Sequence, residues 1–167
     1  VNYSYIPNDE RNLVYKAAKL LMDEFQVKGG VDIHLEKFIP VAAGMAGGSS
    51  DAAAALVGIN RMFQLGMTKR QLMERGVQIG ADVPYCVMRG TALAEGIGEK
   101  LTSLPGVPMC YVLIGKPGIN VSTKFVYGNL HLDEVTEHPD IDGMVEAIRN
   151  HDLYGITDRM GNVLESV

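Results

Sequence analysis

Tryptophan is absent, cysteine occurs twice in 167 residues, and no block of like charges interrupts the chain. Cys86 and Cys110 lie far apart, with no C-x-x-C pair and no His/Cys spacing around them, which excludes a disulfide scaffold and a zinc ribbon. Both read as plain core residues. Long apolar runs are missing as well: Met109–Ile114 falls far short of the roughly 20 residues that span a bilayer. No basic-then-apolar signal segment opens the sequence, and together with the cysteine usage this makes a reducing cytoplasm the expected setting. A formal charge of -5 without a basic stretch argues against nucleic acid as the main partner. It leaves an anionic nucleotide open, because backbone N–H groups and single lysines act locally.

What is present suits a globular body, with 47% apolar residues in a chain of ordinary domain size. Leu13, Ala17, Leu20, Leu21 and Phe25 share one helical face, closed by Gly29-Gly30. Val31, Ile33 and Leu35 alternate with Asp32, His34 and Glu36, which predicts a strand ending at Pro40. A Gly-rich loop follows, then a helix over Asp51–Gln64 with Ala52, Leu56, Ile59 and Phe63 on one face. Thr68 and Gln71 have capping-box spacing and predict a helix over Lys69–Gln78. Gly80–Pro84 reads as a turn, with Pro84 keeping Val83 out of helical conformation. Strands are expected at Tyr85–Met88 and Thr91–Ala94, a turn at Gly96 and Gly98, and a fully buried strand at Met109–Ile114. Short helices are expected at Ser122–Leu130 and Asp142–Asn150, the latter capped by Asp142, with weak helicity from Asp152 to Val167.

The residues richest in chemistry form the run Pro40-Val41-Ala42-Ala43-Gly44-Met45-Ala46-Gly47-Gly48-Ser49-Ser50. Its glycines permit positive φ and close backbone approach, so that successive N–H groups turn toward an anion at the positive end of the helix that follows. Ser49 and Ser50 can cap that helix or donate hydroxyls to a phosphate or its metal ion. The bland reading is a tight strand-to-helix turn. The loop is not a Walker A motif, because no Gly-Lys-Ser/Thr follows, so a phosphate-binding lysine must come from elsewhere. Asp82, between Gly80 and Pro84, can serve as a general base or simply cap its turn. Lys37 ends the strand that feeds the loop and can lie beside a nucleotide or be merely solvated. Glu95 and Glu99, around the Gly96/Gly98 turn, read as surface carboxylates.

In this order the cues L-E-K-F-I-P, G-G-S-S-D-A-A, G-A-D-V-P, A-E-G-I-G-E and K-P-G-I-N-V-S-T resemble the GHMP kinases, the superfamily of galactokinase, homoserine kinase and mevalonate kinase. The later cues resemble the members acting on CDP-methylerythritol in non-mevalonate isoprenoid synthesis. The resemblance implies an α+β fold. Its N-terminal half would hold a left-handed βαβ crossover and the phosphate loop, and its C-terminal half would be ferredoxin-like; the expected division is 1–106 and 107–167. It implies a kinase using ATP and Mg²⁺, with Pro40–Ser50 on the phosphates, Asn12 and Lys37 near the adenine end, Asp82 as catalytic base, and Thr123 and Tyr127 on the substrate side. Other activities of the superfamily, and a non-catalytic nucleotide-binding module, stay open. Ala46 stands where relatives commonly carry glycine, which requires negative φ or a small strain. The family's N-terminal catalytic lysine and C-terminal Gly-rich motif do not occur, and with Val1 and Val167 as its ends the chain is expected to be truncated at both.

Overall fold

A computed structural model describes residues 1–41, 43–118, 123–131 and 138–166, with the side chains of residues 123, 124 and 166 outside the description. The chain divides into two compact units, residues 1–89 with 94–101 and residues 90–93 with 102–167. Four helices build the first. Helix α1, Leu13–Glu24, is capped by the side chain of Asn12 and buries Val14, Ala17, Ala18 and Leu21. Helix α2, Gly47–Met62, buries Ala52, Ala53, Leu56 and Ile59. The alanines on both faces let the helix backbones approach closely where α1 packs on α2. Helix α2 starts before Asp51, so the second half of the Gly-rich run is its first turn.

Helix α3, Lys69–Gly76, has the expected capping box, Thr68 accepting from the Gln71 amide while the Gln71 side chain accepts from that of Thr68. Helix α4, Val83–Met88, replaces the strand expected at Tyr85–Met88. Pro84 falls in its first turn, where a missing N–H costs nothing, and Val83 is helical despite preceding a proline. The period explains the outcome. Val83 and Val87, four apart, are both buried in one cluster with Leu56 and Leu72, a helical spacing that alternation around Cys86 had masked. Arg89 and Gly90, with φ of +63° and +85°, end the helix.

Strands β1, Thr91–Glu95, and β2, Lys100–Leu104, pair as a hairpin whose turn takes positive φ at Gly96 and Gly98. They are the only paired strands among the described residues. Residues 31–38 run as irregular chain instead of the expected strand, and 109–114 form no strand either. Met109, Tyr111, Val112, Leu113 and Ile114 are exposed, as is Cys110, against the core placement expected for all of them. Apolar, β-branched composition makes a segment suitable for a sheet, but a strand needs a hydrogen-bonded neighbour, and no described segment supplies one.

In the second unit, α5 spans Thr123–Asn129, α6 Ile141–Arg149 and α7 Leu153–Asp158, followed by a 3₁₀ turn at Val163–Ser166. Helix α6 packs on α7. Its cap is Asp140 rather than Asp142: the Asp140 carboxylate accepts from the Gly143 amide at 2.9 Å and from Arg159 Nε at 3.1 Å. A carboxylate caps by reaching the N–H three residues on, which places the cap just outside the helix, whereas Asp142 already lies in the first turn.

Candidate functional site

The Gly-rich run reaches α2 through two left-handed residues, Gly44 at φ +68° and Ala46 at φ +48°. Ala46 thus takes the strained alternative rather than negative φ, at a cost of about 1–2 kcal/mol for a residue carrying a Cβ. The left-handed residue stands directly before the first turn of α2. Ala46 occupies the N-cap position with no side-chain cap bond, so the N-cap side chain satisfies none of the leading N–H groups of α2. Ser50 is spent within the helix, its amide donating to the Ala46 carbonyl at 2.8 Å and its hydroxyl to the Gly47 carbonyl at 2.8 Å. Ser49 instead lines a cavity of about 430 Å³ formed by the loop, α1 and residues 5–7.

Most of the residues expected at the site meet in that cavity: Asn12, Lys37, Pro40, Val41, Ala43, Gly44, Met45, Ala46, Gly47, Gly48 and Ser49 all line it. Ser50 is not part of the lining, and Ala42 lies outside the described residues. The Asn12 carboxamide also holds the start of α1, accepting from the Val14 amide at 2.9 Å and donating to the Pro7 carbonyl at 2.7 Å. Lys37 is not a solvated strand end. It is 6% exposed, ion-paired with Asp51, and its Nζ lies 2.9 Å from where a Cβ on Gly47 would stand. A side chain at position 47 would occupy the space the ammonium uses.

Sequence reading gave no role to Asp51, the last residue of the G-G-S-S-D cue, and did not single out Asn2. Asp51 stands four residues after Gly47 and carried a readable signal: on a helix that spacing returns a side chain over the same face. Lys37 had one too, sharing the parity of Val31, Ile33 and Leu35, the inward set of the alternating segment. Asn2 carried none.

Asp82 sits at the N-cap position of α4, exposed, with no capping bond, and outside the lining of the cavity. It is tied to the loop through the core, because Val83 and Val87 of α4 pack against α2. Its charge reaches Cys86: burial first, and the Asp82 carboxylate second, push the thiol pKa up. Tyr127 is exposed on α5 of the second unit, and Thr123 is the first residue of that helix. Among the described residues no group of three or more acidic, His or Cys side chains converges as a metal site. No described helix is long and apolar enough to cross a membrane.

Residues 12–90 match the family described as GHMP kinases N terminal domain. Over 166 residues, 99% of this chain, the sequence is 61% identical to a 4-diphosphocytidyl-2-C-methyl-D-erythritol kinase of Lachnospira eligens, of which it covers 58%. It is also 61% identical to the protein of the same name from Lachnoclostridium phytofermentans, covering 57% of that protein, and 56% identical to that of Exiguobacterium sibiricum. A solved structure of 4-(cytidine 5'-diphospho)-2C-methyl-D-erythritol kinase matches with a TM-score of 0.73 at 31% identity, over 96% of this chain and 57% of that one. The chain therefore spans a little under three fifths of the length of these relatives, and the resemblance read from the motifs is borne out.

Proposed function

We infer that this chain belongs to the GHMP kinases and is part of an enzyme that transfers the γ-phosphoryl group of ATP to the 2-hydroxyl of CDP-methylerythritol, a step of non-mevalonate isoprenoid synthesis. The observation that carries the reading is the uncapped first turn of α2 opening into a cavity beside Lys37, in a sequence 61% identical to relatives bearing that activity in their names. Pro40–Ser50 receives the phosphates through backbone N–H groups and the positive end of a long helix. Asn12 borders the nucleoside end of the same cavity. The hydroxyl proton passes to the Asp82 carboxylate as the hydroxyl oxygen bonds to the γ-phosphorus and the bond to the bridging oxygen of ADP breaks. Positioning and charge stabilisation supply most of the rate.

Thr123 and Tyr127 line the acceptor side in this reading, and the chain divides at 106/107 into the ATP-binding half with its left-handed crossover and the start of a ferredoxin-like half. A Mg²⁺ ion fits this donor set, since it takes most of its ligands from phosphates and water and needs only one or two protein oxygens. Ser49 would hold it, and the ion would screen the phosphate charge. In this reading the enzyme works in the cytoplasm on small molecules, as the cysteine usage and the lack of a basic stretch support. Release of ADP by the complete protein, measured with CDP-methylerythritol, homoserine and mevalonate in parallel, tests the proposal. Turnover confined to the first acceptor is expected; turnover only with another assigns a different GHMP activity, and ATP binding without turnover leaves a nucleotide-binding module.

A further inference from the structure

We propose that Asp51 is a positioning residue that holds Lys37 at the first turn of α2 as the fixed, phosphate-facing cation of the loop, in place of the adenine-end role that the resemblance implied for this lysine. The proposal rests on the ATP-binding reading above and names the charge arrangement that serves it. The loop lacks the lysine that follows the glycines in a Walker motif, and it acquires one from the preceding segment, 14 residues before Asp51.

Three features lock that lysine in place. The Lys37 backbone is held by Asn2, whose side chain both donates to its carbonyl and accepts its amide. The absence of a Cβ at Gly47 leaves room for the ammonium, 2.9 Å from the vacant position. The Asp51 carboxylate, one turn into α2, leans back over Gly47 as helical side chains do and pairs with the ammonium.

The electrostatics require the partner. A buried ammonium without a counter-charge is expensive, and the start of α2 is itself positive, so a lysine there is repelled in the empty site. Asp51 offsets both. An ammonium has three donors, so one carboxylate leaves capacity for ligand phosphate oxygens in the cavity that Lys37 and Asp51 both line. Arrival of a phosphate chain then adds a second anion to a cation already in position, without the entropy of recruiting a mobile lysine.

The test is titration calorimetry on the complete protein with ATP, adenosine and inorganic tripolyphosphate, for wild type, Lys37→Met, Asp51→Asn and the double variant. Both single variants are expected to weaken ATP and tripolyphosphate by about 10–100-fold and adenosine by less than about twofold, a split that general loosening of the site does not produce. The double variant should lose no more than Lys37→Met alone, because Asp51 acts through Lys37. If Asp51→Asn alone does not fold, the double variant, which buries no unpaired charge, decides: wild-type ATP affinity in it overturns the proposal, and loss confined to the phosphate ligands supports it. Equal loss for adenosine and ATP also overturns it. A wild-type protein that binds neither ATP nor adenosine sinks the kinase reading instead.

Discussion

Asn2 makes two hydrogen bonds to the backbone of Lys37: its Nδ2 donates to the Lys37 carbonyl at 3.0 Å, and its Oδ1 accepts the Lys37 amide at 2.8 Å. A single carboxamide thus does for Lys37 what a neighbouring strand does in a sheet, in a segment that has no ladder of its own. Asn2→Ala leaves a part-buried donor and acceptor to find water, and is expected to lower stability by about 1–3 kcal/mol. Urea unfolding of the complete protein measures it. An unchanged midpoint means that solvent replaces the side chain and that Lys37 is held from its head alone.

Ala46 and Gly47 respond in opposite directions to a change of one methyl group. Ala46→Gly relieves a left-handed residue at φ +48° and is expected to stabilise the protein by about 1 kcal/mol after the extra freedom of glycine in the unfolded chain is counted. Gly47→Ala places a Cβ 2.9 Å from both Lys37 Nζ and Ile39 Cγ2, displacing the ammonium. It should cost about 1–3 kcal/mol of stability and weaken ATP at least about tenfold. Thermal melts and nucleotide titration of the pair check both signs, and equal behaviour of the two variants would show that loop geometry is not what sets the site.

Asp82→Asn carries a chemical and a structural readout. In the complete protein, turnover should fall about 10²–10⁴-fold with a modest change in KM. Independently, the Cys86 thiol is held above its ordinary pKa by burial and then by the Asp82 charge, so removing that charge should lower its pKa while burial keeps it raised. The pH dependence of Cys86 alkylation measures this shift. A turnover loss with an unmoved thiol would mean that the carboxylate points away from Cys86 in the working enzyme.

Glu24 and Arg75 tie α1 to α3 through two bonds, Nη2 to Oε1 at 2.6 Å and Nε to Oε2 at 3.2 Å. The Arg75 hydrogen bond holds the Glu24 carboxyl below its ordinary value of 4.5. A carboxyl depressed in the folded state stabilises fully above the unfolded value and loses that contribution as pH falls through the folded one. Wild type should therefore exceed Glu24→Gln by about 0.5–1 kcal/mol at neutral pH, a figure scaled for a pair about a third exposed. The gap should close as pH drops below about 4.5. A gap that persists at low pH would trace the difference to packing rather than charge.

What was legible in the sequence is what neighbours along the chain determine. Thr68 and Gln71 cap α3 through contacts within one turn, Ala17 and Leu21 of the expected α1 face are buried while Phe25 at its end is exposed, and Gly96 and Gly98 supply the positive φ of their turn. The Gly-rich turn and the helix that follows it were legible for the same reason, since they are consecutive along the chain. Only the tertiary structure decided the rest. The alternation at Tyr85–Met88 is compatible with a strand until Val83 and Val87 meet Leu56 and Leu72 on one helical face. Met109–Ile114 has strand composition, yet a strand exists only with a hydrogen-bonded neighbour, which no reading of its own six residues reveals. Lys37 and Asp51 each carried a local signal, strand parity for the first and helical spacing from Gly47 for the second, but neither signal named its partner. Their pairing required the segment before the loop and the helix after it to converge on the space that Gly47 leaves open, and a charge is drawn into an interior only where folding brings its counter-charge with it.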